Sequence, residues 1–174
     1  GHSMGGAISA YVAATAPERV RRLVLVNPSL FGAEGGRRPL AIKLARRRPI
    51  GDLMVRFMVR RSVVRSVLER VYVRREALDE ETVDGYYESV RNSGKTLIEA
   101  FRIIQGFNPA LLRSVRCPVL FVLGRHDVLV PYELNLKLAR EIEAEVFVDE
   151  TSGHNVHEEN PEEISRVIAE FLGR

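Results

Sequence analysis

The chain opens on Gly1-His2-Ser3-Met4-Gly5-Gly6 and runs straight into an apolar, alanine-rich stretch over residues 7–16. This fits the pattern G-x-S-x-G, in which a serine sits on a sharp, strained turn leading from a strand into a helix. Such a turn commits the chain to a strand that delivers Ser3, a helix that leaves from it, and a sheet for both to rest on. Gly1, Gly5 and Gly6 are expected to be small because side chains there would collide with the turn. The first helical N–H groups have no partner within the helix and lie at its positive dipole end, so they favour an oxygen that gains negative charge. Ser3 is the nucleophile candidate, and the Met4 N–H is the candidate donor to an oxyanion.

Two later segments supply the groups that a serine nucleophile needs. Gly124-Arg125-His126-Asp127 closes the apolar run 118–123, and Gly153-His154 follows the apolar run 146–148. A serine hydroxyl is a poor nucleophile at neutral pH and needs an imidazole to take its proton, while a carboxylate holds the imidazole tautomer and stabilises the imidazolium. His154 suits the first role and Asp127 the second. The order serine, acid, histidine, with acid and base each just past an expected strand, resembles the α/β-hydrolase fold family. Asp127 with Pro131 matches that family's G-x-x-D-x-x-x-P, and Gly153-His154 with Glu159 and Pro161 matches G-H-x-x-x-x-E-x-P. Some members carry the acid after the preceding strand; here 23–26 runs into the neutral Asn27, which leaves Asp127 as the better acid.

The resemblance covers the chain from the elbow onward and implies a partial α/β-hydrolase fold: parallel strands flanked by helices, with an inserted helical cap. It implies three regions, with the elbow, first helix and first strand in 1–31, the cap in 32–116, and the acid and base in 117–174. The strands and the second oxyanion-donating loop that such proteins carry before the elbow are not in this sequence, so it is read as part of a longer protein, poorly soluble and inactive if made alone.

The apolar run 23–26 reads as a strand buried on both faces, which suits a parallel sheet. Residues 4–16 read as a helix ended by Pro17, and 28–39 as a glycine-rich exit loop. From Pro39 to about Gly106 the pattern is helical, with breaks expected at 49–51 and 92–94. There Met54, Phe57, Met58, Val64, Val67, Leu68 and Val71 recur at helical spacing, with Arg56, Arg60, Arg65 and Arg74 on the other side. Helices are expected over 132–143 and 161–173 and a strand over 145–149. Asn160 and Glu163 are expected to cap the last helix, whose apolar stripe is Ile164, Val167, Ile168, Phe171 and Leu172.

Charge is uneven. Residues 32–116 hold 18 Lys+Arg against 10 Asp+Glu, leaving 8 against 13 elsewhere. A basic segment of this kind is either a solvated helix face or an attraction for anionic substrates or a membrane surface. No apolar run reaches the roughly 18 residues of a membrane span, no nucleic-acid partner is expected, and the location expected is cytoplasmic. Cys117 is the only cysteine, so no intrachain disulfide can form; it reads as a small buried residue.

His2 and His126 read as packing residues. His154 and His157 are three apart, but no further ligands complete a metal set, and Glu158 and Glu159 read as helix first-turn charges. No metal or cofactor is expected. Met54, Phe57, Met58, Tyr72, Tyr86, Tyr87, Phe101 and Phe107 are equally consistent with core packing and with an apolar acyl pocket under the cap. The resemblance implies a lipase-like serine esterase that cleaves a small-molecule carboxylic ester through an acyl-enzyme. Carbon–carbon bond hydrolases and other triad-using members are the alternative enzymes, although many of the former carry tryptophan where Asn155 stands. A non-catalytic, ligand-binding remnant is the alternative outside catalysis.

Overall fold

The computed structural model describes residues 1–31, 60–103 and 108–174. Three parallel strands, β1 (Leu23–Val26), β2 (Val119–Gly124) and β3 (Glu145–Asp149), form a sheet in the order β1-β2-β3. Leu23 to Val26 pair with Val119 to Val122, and Leu120 to Gly124 pair with Glu145 to Asp149. Gly1 N donates to Val24 O, Val26 N to Gly1 O and Ser3 N to Val26 O, so the first three residues run parallel to the outer edge of β1 and cover part of it.

Successive strand residues face opposite sides, and both sides are packed. Leu23, Leu25, Val119, Phe121 and Leu123 meet Ala7, Ala10 and Ala13 of α1 (Met4–Thr15) and Leu138 and Ala139 of α4 (Tyr132–Glu141). The alanines put no bulk between α1 and the sheet. Val26, Leu120 and Val122 meet Ile164 and Phe171 of α6 (Pro161–Gly173). Phe171 is fully buried, and truncating a phenylalanine in such a place costs about 3–5 kcal/mol. The turn Pro109–Ser114 buries Leu112 in the α1 side of this core.

Between β1 and β2, α2 (Arg61–Val71) and α3 (Glu80–Ile103) pack on each other around a separate core of Val64, Leu68, Val71, Tyr72 and Val83. Of the expected apolar face, Val67 stays exposed at 43%. Part of the basic character is spent within the pair: Arg61 bridges Glu80 at 2.6 Å and Asp84 at 2.5 Å, and Arg65 also reaches Glu80. No break occurs at 92–94, because α3 runs through it. A glycine inside a helix costs only about 1 kcal/mol relative to alanine, which a 24-residue helix absorbs. The expected break at 49–51 and the side chains of Met54, Arg56, Phe57, Met58, Phe101 and Phe107 lie outside the described residues.

At the start of α6, neither expected cap forms. The Asn160 amide donates to Asp149 Oδ2 at 2.6 Å, and Glu163 instead accepts from Arg166. Leu172 lies 52% exposed, off the buried stripe. A one-turn helix, α5 (Val156–Glu159), precedes α6. Cys117 is half-buried against the α1 side of the core. Among the described residues no helix is long and apolar enough to cross a membrane.

Candidate active site

The carboxyl ends of the three strands lie side by side, and the residues following them converge there, the usual place for a ligand in a parallel sheet. Ser3 arrives from the neighbouring edge. It precedes α1 with φ 50° and ψ −119°, a backbone that a residue with a Cβ adopts only under strain of about 1–3 kcal/mol. Local bonds enforce it: Ser3 N donates to Val26 O at 3.0 Å, while Ser3 O accepts from Gly6 N at 3.0 Å and Ser29 N at 2.9 Å. A Cβ on Gly6 would stand 2.7 Å from Pro28 Cβ, and one on Gly1 would overlap Gly5 O. Gly5 differs from expectation, since a Cβ there meets nothing within 4 Å among the described residues. The collision argument therefore holds for Gly1 and Gly6 and fails for Gly5, which looks away from the turn. Met4 is the first residue of α1, so its N–H is one of the donors that the helix leaves without an internal acceptor.

Asp127 lies just beyond β2. Its Oδ1 accepts from Leu129 N at 2.8 Å and Val130 N at 3.0 Å, which fixes the carboxylate and leaves Oδ2 to meet His154 Nδ1 at 2.7 Å. Both side chains are nearly enclosed, 6% exposed for His154 and 2% for Asp127. The geometry thus joins His154 to Asp127 and not to His126, which is exposed at the surface rather than packed. The Ser3 hydroxyl makes no hydrogen bond to His154 among the described residues; the hydrogen bond between this turn and the histidine is made by His2. The His2 ring lies 4.7 Å from that of His154 and 4.5 Å from that of His157, and its Nε2 bonds His154 O at 3.0 Å. Burial, followed by repulsion from His154 and His157, lowers the His2 pKa to about 4, so this ring is neutral near pH 7. His157 is also pushed below its ordinary value, chiefly by burial.

Further residues hold the histidine loop, and the sequence reading assigned none of them this part. Asn27, buried at 2% exposed and with φ 37°, donates from Nδ2 to Gly153 O at 3.0 Å and His154 O at 2.7 Å and accepts from Gly124 N at 2.9 Å. One side chain therefore links the ends of β1 and β2 to the loop after β3. Close backbone approach demands glycine at two places beside it: a Cβ on Gly124 would overlap Gly153 O, and one on Gly153 would overlap Val71 O. Glu159 lies in the first turn of α5, as expected, and is also buried, accepting from Gly153 N, Val73 N and Arg74 N at 2.8, 2.7 and 2.8 Å. Glu158 accepts from the hydroxyls of Tyr72 and Tyr86, and Asn155 Nδ2 donates to Tyr86 OH at 2.9 Å. Burial above all raises the pKa of both tyrosines, so both remain protonated donors. The motif G-H-x-x-x-x-E-x-P was the signal that could have marked Glu159; nothing local marked Asn27 or the tyrosines.

Behind the site, Asp149 accepts from Thr151 N and Oγ1 and from Asn160 Nδ2. Burial works to raise its carboxyl pKa, but these hydrogen bonds outweigh that and hold it below the usual value. Among the described residues, no group of three or more His, Cys, Asp or Glu could hold a metal ion.

Comparison with known proteins agrees with this architecture. An uncharacterized hydrolase, YugF, from Bacillus subtilis (strain 168) is 31% identical over 99% of this chain and 63% of its own length. A 2-hydroxy-6-oxononadienedioate/2-hydroxy-6-oxononatrienedioate hydrolase from a Pseudomonas species is 26% identical over the whole chain and 62% of its own length. The solved structure of a 2-hydroxy-6-oxo-6-phenylhexa-2,4-dienoate hydrolase from Rhodococcus sp. strain RHA1 superposes with a TM-score of 0.75 at 25% identity, over 100% of this chain and 63% of that one. The chain therefore spans somewhat more than six tenths of the length of these relatives. Residues 1–167 match the alpha/beta hydrolase family, and with the parallel sheet and its helices in this order, the chain belongs to that family.

Proposed function

We propose that the protein is a serine hydrolase that cleaves a small-molecule carboxylic ester through an acyl-enzyme. Ser3 is the nucleophile, His154 the general base and then acid, and Asp127 the group that orients and charges the imidazole. The Met4 N–H is one oxyanion donor, residues 32–116 form the cap, and neither metal nor cofactor takes part. The observation that carries this reading is the buried 2.7 Å contact between His154 Nδ1 and Asp127 Oδ2, together with a serine whose backbone is held in a strained turn. With Nδ1–H committed to the carboxylate, Nε2 is left bare to accept a proton, the tautomer a general base requires. The strained turn supports the same reading, since strain of this kind clusters at functional sites. An apolar acyl group is part of the proposal from the family resemblance; Tyr72, Tyr86 and Tyr87 themselves pack in the core of the helical pair.

The test is labelling of the whole protein by a serine-reactive phosphonate, together with turnover of p-nitrophenyl esters of graded chain length. Labelling at Ser3 that is lost in Ser3→Ala supports the reading; ester turnover undiminished in that variant overturns it. The names of the Pseudomonas and Rhodococcus relatives favour a second reading, hydrolysis of a carbon–carbon bond in a 2-hydroxy-6-oxo dienoate. Turnover of such a dienoate with no ester turnover would select it.

A further inference from the structure

From its three backbone contacts we infer that Glu159 is a positioning residue: it joins the segment leaving α2 to the peptide that carries His154, so that the helical pair and the histidine are set as one unit. This rests on the reading of His154 as the base. The carboxylate is 3% exposed, and its two oxygens face different segments. Oε1 takes Gly153 N at 2.8 Å, next to His154, whereas Oε2 takes Val73 N at 2.7 Å and Arg74 N at 2.8 Å, just beyond α2. A second bond runs across the same seam, from His154 N to Val71 O at 3.1 Å. The His154 residue is thereby held at both ends of its own main chain. Its N–H is on the helical pair, and its C=O is on Asn27 and on His2, next to the elbow serine. A shift of the helical pair would carry Val71 O, Val73 N and Arg74 N with it, and the shared carboxylate passes that shift to Gly153.

Only a carboxylate suits all three donors. A glutamine has one carbonyl oxygen, so its NH2 group meets either the buried Gly153 N–H or the part-buried Val73 and Arg74 N–H groups, and in each orientation a donor is left without its acceptor. The contact is thus sensitive to a nearly isosteric change, which separates positioning from mere filling of space.

The experiment compares the wild-type whole protein with Glu159→Gln. Two signals are read: kcat and KM on an ester substrate, and the downfield imidazole N–H resonance of the His154–Asp127 hydrogen bond, which requires no turnover. The expected result is kcat lower by about 10- to 100-fold, because a small misplacement of a catalytic group has effects of that size, with KM changed less than about three-fold. The resonance shifts or broadens. Wild-type kcat with an unmoved resonance in folded Glu159→Gln overturns the inference. Should Glu159→Gln not fold, amide exchange decides. In Val64→Ala, which loosens the core of the helical pair seven residues before Val71 in α2, protection of Gly153 and His154 should fall together with that of Val73 and Arg74. Unchanged protection of Gly153 and His154 while Val73 and Arg74 loosen overturns it. Because neither the resonance nor the exchange depends on turnover, failure of the ester reading in Ser3→Ala remains distinguishable from failure of this one.

Discussion

Replacing Asn27 by alanine should be among the costliest single changes outside the proposed triad. The side chain makes three hydrogen bonds in a fully enclosed place: to Gly153 O at 3.0 Å, to His154 O at 2.7 Å and from Gly124 N at 2.9 Å. Each such bond is worth about 1 kcal/mol net, and buried partners left unpaired make the loss larger. His154 O keeps a donor in His2 Nε2 at 3.0 Å, so its loss is partial, whereas Asn27 is the donor to Gly153 O and the acceptor of Gly124 N. Alanine must also hold φ 37°, where asparagine is tolerated and alanine costs about 1 kcal/mol more. The expected destabilisation is about 3–5 kcal/mol, read as a shift in urea midpoint at constant slope, or as roughly 6–20 °C in melting temperature for a domain of this size. Asn27→Asp should be worse, because a carboxylate oxygen would then face two carbonyl oxygens without a hydrogen between them. A loss below about 1 kcal/mol in Asn27→Ala, or a milder effect of aspartate than of alanine, would refute the view that this amide is the joint between the strand ends.

Ser3→Ala and His154→Ala should each reduce ester turnover by roughly 10⁴-fold or more, and Asp127→Asn by up to about 10⁴-fold, measured as kcat/KM on the best p-nitrophenyl ester. Ser3→Gly should unfold at higher denaturant than Ser3→Ala, since glycine relieves a φ of 50° that alanine retains; equal midpoints would mean that the turn is unstrained. Gly6→Ala should destabilise by about 1–3 kcal/mol, because its Cβ would press on Pro28 at 2.7 Å, and a melting temperature unchanged from wild type would contradict this. His2 takes a proton at about 4 when folded and near the ordinary value of 6.5 when unfolded, so between these values the unfolded chain binds more protons and stability falls as the pH falls. Between pH 7 and pH 5 the loss through His2 is about 2 kcal/mol at most, and His2→Gln should flatten that part of the stability profile in urea titrations at the two pH values.

Much of this architecture is written locally. The run 23–26 is apolar throughout and becomes β1 without a residue's difference, because a strand covered on both faces needs no alternation. Ser3, Asp127 and His154 could be singled out as candidates because each follows a short, strongly apolar strand or opens a helix, and turns at such places have few sequence solutions. The His154–Asp127 contact followed from that placement. What the sequence could not carry was the pairing of groups far apart in the chain. Asn27 counted only as a neutral residue that leaves Asp127 the better acid, and it is the amide that ties the ends of β1 and β2 to the loop after β3. Glu159 does lie in the first turn of a helix, as read, but its burial as an acceptor depends on two donors, Val73 N and Arg74 N, that are 86 and 85 residues away. His2 filled a variable position of a motif and came to lie between two other imidazoles. Backbone preference and apolar periodicity act over a few residues and can be read from them; a buried polar group takes whichever partner the packed sheet and helices bring to it, and only the tertiary structure decides which that is.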